Sequence, residues 1–116
     1  MDEIRQFRKD LLAKVTRMEA MEEKFGIQIS HLSLITEPDS EYVQINFEVT
    51  PLTGSSIPQD VDINFAFYDD EGTITLKSSI WIDSDKFRGF SIESSTFNIN
   101  TKAYNISRII CYLSES

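Results

Sequence analysis

The stretch that decides the fold is DVDINFAFYDDEGTITLKSSIWID, residues Asp60–Asp83. The apolar residues of its first half share one parity, Val61, Ile63, Phe65 and Phe67, and those of its second half share another, Ile74, Leu76, Ile80 and Ile82. A period of two is what a β-strand with one buried face requires. Between the halves lies the acidic turn sequence Asp69–Gly72. The stretch therefore predicts a β-hairpin whose second strand buries Ile74 together with its other aliphatic residues.

Period-two patterning continues on both sides of this hairpin. Val43–Val49 alternates cleanly, and Ile27–Leu34 alternates with a phase slip at Ser30 and His31, which predicts a β-bulge or a bend. Further short apolar segments run to Leu113. Six or seven short strands with frequent turns favour an antiparallel immunoglobulin-like β-sandwich over residues 27–116, because each sheet has an apolar face that needs a partner. A small barrel is the second alternative.

Residues 1–26 predict an N-terminal amphipathic α-helix that is continuous from Asp2 to about Lys24 and ends at Gly26. Its apolar side chains form a heptad-like stripe that includes Ile4, Phe7, Leu11, Val15, Met18 and Met21. The stripe suits packing on the β-sandwich or on a second copy of the helix. Because the segment carries six basic and six acidic residues, no net charge opposes such pairing, and we expect a homodimer through the N-terminal helix.

The net charge of −8 lies entirely after this segment, where five basic residues face thirteen acidic ones. Such a surface repels nucleic-acid phosphates and anionic lipids, so we expect neither nucleic acid nor membrane as a partner. Acidity attracts a basic protein, but it also keeps a small domain in solution. The N-terminus lacks a continuous apolar signal core, which predicts a cytoplasmic location, or an extracytoplasmic one if a signal peptide has been removed.

One segment resembles a known family. The run Phe65-Ala66-Phe67-Tyr68-Asp69, followed by Gly72, resembles the FxLYD-type immunoglobulin-like domains, with Phe67 where that pattern has Leu. The resemblance covers about residues 42–113 and leaves out the N-terminal helix. It implies a small immunoglobulin-like sandwich with a binding or structural role, usually outside the cytoplasm, and it implies no catalytic residues.

The residue types that carry enzyme chemistry are scarce. His31 and Cys111 are the only histidine and cysteine, and nothing in their positions indicates that they meet as a nucleophile pair. A zinc site needs more nitrogen and sulfur ligands than these two. No phosphate-binding or serine-hydrolase motif is present, so we expect a protein that is not an enzyme and has no cofactor.

Acidic turns supply the one candidate metal site. If successive strands run antiparallel, two turns lie at one end of the sandwich and together hold Glu37, Asp39, Glu41, Asp69, Asp70 and Glu71. Six carboxylates suit a hard cation such as calcium, although acidic turn residues more commonly face water.

Two aromatic residues fall on the face of the hairpin opposite its aliphatic core. Tyr68 and Trp81 are expected to form an exposed aromatic pair across the two strands, of the kind that anchors protein interfaces. The alternative is that the N-terminal helix covers this face with Phe7, Leu11 and Met18.

Three functions follow as hypotheses. The first is a non-enzymatic protein-binding or structural module, with Phe7, Leu11, Met18, Tyr68 and Trp81 as interface residues. The second is a small acidic inhibitor or immunity-type protein that masks a basic partner. The third is a calcium- or carbohydrate-binding sandwich.

Overall fold

The structure is a computed structural model that describes the backbone of residues 2–36, 42–98 and 106–115 and the side chains of residues 6, 8–35, 42–97 and 106–115. Within these residues the elements are, in chain order, α1 (Asp2–Ala13), β1 (Val15–Arg17), α2 (Glu19–Phe25), β2 (Ile27–Thr36), β3 (Tyr42–Pro51), β4 (Val61–Tyr68), β5 (Ile74–Ile82), β6 (Ser91–Asn98) and β7 (Arg108–Glu115).

The strands form two sheets, in the orders β1-β7-β4-β5 and β2-β3-β6. Their inner faces supply one apolar core, in which Phe65 and Phe67 of the first sheet meet Phe47 and Phe97 of the second at ring-centroid distances of 4.4–5.9 Å. The prediction of a mainly β, two-sheet sandwich with an N-terminal helix is confirmed. The strands of residues 27–116 pair antiparallel as predicted, whereas β1, in the segment predicted to be helical, adds a parallel pair with β7.

The hairpin places β4 inside the first sheet, between β7 and β5, and β5 at the edge of that sheet. Asp69 N–H donates to Thr73 O at 2.9 Å across the turn, and Gly72 has a φ of 81° there. One expectation fails, because the register shifts near the turn: Phe67 pairs with Leu76 whereas Tyr68 pairs with Ile74. Ile74 is therefore exposed rather than part of the core.

The phase slip in β2 is the predicted bulge. The pairing of β2 with β3 shifts between Ser30 and Ser33, and His31 adopts a φ of 53° inside the irregularity. The slip moves the buried positions from Ile27 and Ile29 to Leu34, so both halves of the strand face the core.

The predicted continuous N-terminal helix is wrong between Ala13 and Glu19. The chain leaves α1, forms β1 against Ile109–Cys111 of β7, and then starts α2. The β-branched residues Val15 and Thr16 favour an extended backbone, and pairing with β7 satisfies backbone groups that an open sheet edge would leave free. The predicted helix end is confirmed, since Gly26 caps α2 with a left-handed φ of 74°.

The N-terminal segment shares the core of the sandwich. Leu11 of α1 and Phe25 of α2 are buried in the same apolar cluster as the strands. α1 packs against β2, and α2 packs against β2 and β7, so the segment closes one flank of the sandwich. The expected division into residues 1–26 and 27–116 therefore separates two segments with a common core.

Candidate functional site

The flank opposite the N-terminal segment is formed by β5 and β6, each the last strand of its sheet. The hydroxyls of Ser78 and Ser95 join the two strands at 2.6 Å. Each strand has a backbone edge without a neighbouring strand in the described part of the chain. Such edges are ready to pair with another chain unless charge, proline or a covering segment blocks them.

Three large apolar side chains lie exposed at one end of this flank, and we call them the edge surface: Trp81 at 56% exposure, Phe90 at 57% and Ile92 at 68%. Ile74 of β5 is also exposed, at the other end of the strand. Trp81 lies three residues beyond Ser78 along β5, and Ile92 lies three residues before Ser95 along β6. The two residues are therefore at the same level of the flank, one on the outer face of each sheet. Single exposed apolar residues are common, whereas these three lie close together beside one free edge.

Asp60 anchors the loop that follows β5. Its Oδ1 accepts hydrogen bonds from the backbone N–H of Ser84 at 2.8 Å and from the Ser84 hydroxyl at 2.7 Å. These two bonds lower the pKa of the Asp60 carboxyl, and a further hydrogen bond from the Trp81 side chain acts in the same direction. Asp60 thus fixes the start of the loop that leads to Phe90.

The five interface residues predicted from the sequence do not form one surface. Leu11 is buried at 2% exposure, Met18 is 41% exposed on the other flank, and the side chain of Phe7 lies outside the described residues. Tyr68 is half-buried beneath the Arg108 guanidinium, which lies 4.8 Å from the ring centroid. Of the four whose side chains the structure describes, Trp81 alone belongs to the edge surface.

The expected Tyr68–Trp81 pair is wrong. Trp81 pairs with Asp62 in the ladder and Tyr68 pairs with Ile74, so the two aromatic residues lie at opposite ends of the hairpin. The helices do not replace this pairing, because α1 and α2 pack on β2 and β7 and leave Trp81 exposed.

His31 and Cys111 are also apart. His31 is exposed at the β2 bulge, where its Nδ1 lies 2.6 Å from Glu48 Oε2. Cys111 is fully buried in β7, and burial, together with the nearby Glu22 carboxyl, raises the pKa of its thiol to about 12. A thiol with that pKa is not a nucleophile at neutral pH, so these two residues do not form a catalytic pair.

The acidic turns cannot be assembled into a site within the described residues. Glu37, Asp39 and Glu41 lie outside them. In the other turn, Asp69 Oδ1 accepts the backbone N–H groups of Glu71 and Thr73, each at 2.9 Å, so this carboxylate already stabilises the turn. In the part of the chain that the structure describes, no group of three or more histidine, cysteine or acidic residues is placed to hold a metal ion.

A buried glutamate carboxyl beside a partly buried arginine, which the sequence did not indicate, lies under the N-terminal flank. Glu22 of α2 is 4% exposed, and its Oε1 accepts the Ile29 N–H of β2 at 2.9 Å and lies 3.8 Å from Arg17 Nη1. Burial raises the pKa of the Glu22 carboxyl, although the Ile29 hydrogen bond and the Arg17 charge oppose that rise. A cleft of about 180 Å³ beside it is lined by Arg17, Glu19, Glu22 and Glu23 among others. In the sequence, only the Val15-Thr16 pair indicated that Arg17 and Glu22 belong to different elements, because both residues are β-branched and have low helix propensity.

Comparisons with known proteins add little. A scan against protein-family models finds no match, and a search of the curated proteins finds none either. A solved structure to which the chain is similar is the crystal structure of a DUF1425 family member from Shewanella sp. pv-4, at 13% identity and a TM-score of 0.47, over 78% of each chain. A similarity at that level carries no information on family or function. None of the described helices is long and apolar enough to cross a membrane.

Proposed function

We propose that this chain is a non-enzymatic protein-binding module that contacts its partner through the edge surface. The observation that carries the proposal is Trp81, a large aromatic side chain that is 56% exposed beside a free sheet edge. Tryptophan is among the residues that contribute most to protein interfaces. Ile92 and Phe90 extend the apolar area around it.

The free edge of β6 favours an extended partner segment, whereas β5 carries an exposed Lys77. Addition of a strand to a sheet edge supplies main-chain hydrogen bonds, and the side chains that flank the edge select the sequence. β6 contains neither lysine nor proline, two residues that commonly block such pairing. Glu93 is one of the residues of β6 on the inner face of the sheet. Its charge opposes the burial of apolar partner residues at that position and favours basic ones.

For the fold, we propose the finer assignment to the immunoglobulin-like sandwiches, of the FxLYD type. The strand pairs support it: β3 pairs with β6 and β4 pairs with β7, each three strands apart in the chain and in opposite sheets. The B–E and C–F pairs of immunoglobulin domains have the same spacing. In this chain β1 takes the place beside β7 that strand G takes beside strand F.

A capture experiment tests the function. The chain carries an affinity tag and is incubated with lysate of the source organism, in parallel with a Trp81→Ser/Ile92→Ser variant. The matched control is Ile35→Ser, which removes an exposed apolar side chain from β2 on the other flank. We expect a captured protein that the double variant loses and the control keeps. Equal capture by all three forms would remove the edge surface from the proposal.

The second candidate is an acidic inhibitor or immunity-type protein, favoured by the excess of thirteen acidic over five basic residues after residue 26. Its partner is a basic enzyme, and its complex weakens steeply with added salt because surface charges are screened. Capture that disappears at high salt but survives the double variant would favour this candidate.

The calcium- or carbohydrate-binding sandwich stays a third proposal, since an exposed tryptophan also stacks on sugars and the acidic turns suit calcium. A rise in melting temperature with calcium chloride, or with a panel of oligosaccharides, would promote it.

The homodimer through the N-terminal segment also stays a proposal, but with a smaller contact area, because Leu11 is buried in the chain's own core. Light scattering on wild type and Met18→Glu decides it: a dimer that the variant converts to a monomer supports the contact, and a wild-type monomer rejects it.

A further inference from the structure

The N-terminal flank is attached to the sandwich by few backbone contacts. β1 contributes three residue pairs with β7. Met18 N–H donates to Cys111 O at 3.1 Å, and Ile109 N–H donates to Lys14 O at 3.0 Å. Because these bonds are few, a buried side chain that connects this segment to β2 contributes much to holding the segment against the sandwich.

Glu22 is that side chain. Its Oε1 receives the Ile29 N–H, which ties α2 to β2. Its Oε2 is buried and has no hydrogen-bond partner among the described residues. A buried carboxylate oxygen without a donor is costly in the ionised state, and much less costly when the carboxyl is neutral.

The charges that face Glu22 do not compensate for ionisation. β1 presents Arg17, which lies 3.8 Å from Oε1 and is shared with Glu19 at 3.0 Å and with the Ile29 carbonyl. α2 itself presents the like charge of Glu19, β7 presents the neutral thiol of Cys111, and β2 presents a backbone N–H. The charge of Arg17 is therefore shared among several partners. It does not offset both the burial of the Glu22 carboxylate and its repulsion by Glu19.

We propose that Glu22 is a pH-sensitive latch: its neutral carboxyl holds β1 and α2 on the edges of β7 and β2, and its ionisation loosens them and uncovers the β7 edge. The sign follows from linkage. The carboxyl of the opened segment titrates near the ordinary value of 4.5, whereas the closed form retains its proton to higher pH. Closure is therefore strongest below pH 4.5, weakens as the pH rises through the interval between the two pKa values, and stays weak above it.

Hydrogen–deuterium exchange measures the opening directly. Protection factors, which correct for base catalysis, are followed for the amides of Met18, Ile29 and Ile109 from about pH 4 to about pH 8, with the amides of β3 as the reference for global unfolding. As the pH rises, we expect the protection factors of the three amides to fall relative to those of β3. The fall is up to about tenfold for each pH unit by which the pKa of Glu22 in the closed form exceeds that in the open form. Constant or rising protection overturns the proposal.

Two variants separate the latch from a general charge effect. Glu22→Gln keeps the size and an acceptor for Ile29 but cannot ionise, so its protection is expected to be independent of pH. The matched control Glu23→Gln removes the neighbouring exposed carboxylate and is expected to behave like wild type. A fall in Glu22→Gln equal to that of wild type overturns the proposal.

If Glu22→Gln does not fold, the wild-type chain still decides the question. Carboxyl carbon chemical shifts give the titration of Glu22 by NMR. A midpoint at or below the ordinary glutamate value contradicts the latch, and a raised midpoint that coincides with the loss of protection supports it.

Discussion

Replacement of Leu11 by alanine tests whether the N-terminal segment is part of the cooperative fold. Leu11 lies on α1, is 2% exposed, and packs in the core cluster with residues of both sheets. Truncation of a fully buried leucine removes its transfer free energy and leaves a cavity, at a cost of about 2–5 kcal/mol. Because Leu11 is one turn from the end of α1, where the cavity can partly collapse, we expect about 3 kcal/mol.

Urea denaturation followed by tryptophan fluorescence is the assay. The single tryptophan, Trp81, is on β5 at the far side of the sandwich, so its signal reports the sandwich and not α1. We expect Leu11→Ala to lower the free energy of unfolding obtained from this transition by the whole of that amount, about 3 kcal/mol. The control Met18→Ala is expected to lower it by less than about 1 kcal/mol, because Met18 is 41% exposed. An unchanged Trp81 transition, with α1 lost in a separate earlier step by circular dichroism, would refute the shared core and restore residues 1–26 as an independent unit.

Three further predictions concern single positions. Gly26→Ala is expected to destabilise the chain by more than Gly54→Ala in urea denaturation: both have a left-handed φ, which costs about 1 kcal/mol, but a Cβ at Gly26 lies 3.0 Å from the Pro58 ring whereas one at Gly54 meets nothing within 4 Å. Cys111 is expected to resist alkylation in the native protein at about pH 8 and to react fully in urea, because burial raises the pKa of its thiol to about 12; rapid native labelling, counted by mass, would contradict its placement in the core. Asp60→Asn is expected to be less stable than wild type at neutral pH and to approach it as the pH falls below 3.8, because the Asp60 pKa is lowered in the folded state and its contribution disappears on protonation; a stability difference that is constant with pH would contradict this.

The β-region was predictable because its signals are local. A half-buried strand repeats every two residues, so the hairpin of β4 and β5 and the bulge at His31 could be derived from the pattern of apolar residues. The N-terminal segment was predicted wrongly, because the interaction that decides its structure is not local in the sequence. Its apolar stripe fits one long helix, and what interrupts it at Val15 is pairing with Ile109, a partner that lies far along the chain.

The candidate surface was predictable in part. Parity placed Trp81 on the outer face of the hairpin, and the structure leaves it there. The partner assigned to it was wrong, because the register at the turn sets Tyr68 opposite Ile74, and a register shift cannot be derived from parity alone. The free edge beside Ile92 depends on the order of strands in the sheets, and the burial of Glu22 depends on packing between elements, so neither is encoded in a local pattern.

Site-specific photo-crosslinking tests whether the edge surface binds a protein. A photoreactive amino acid replaces Phe90 in one form of the chain, Ile92 in a second, and Ile35 on the opposite flank in a third, and each is irradiated in lysate of the source organism. We expect the same crosslinked partner from Phe90 and Ile92, identified by mass spectrometry, and none from Ile35. A partner that crosslinks through Ile35 and not through Phe90 or Ile92 would contradict it.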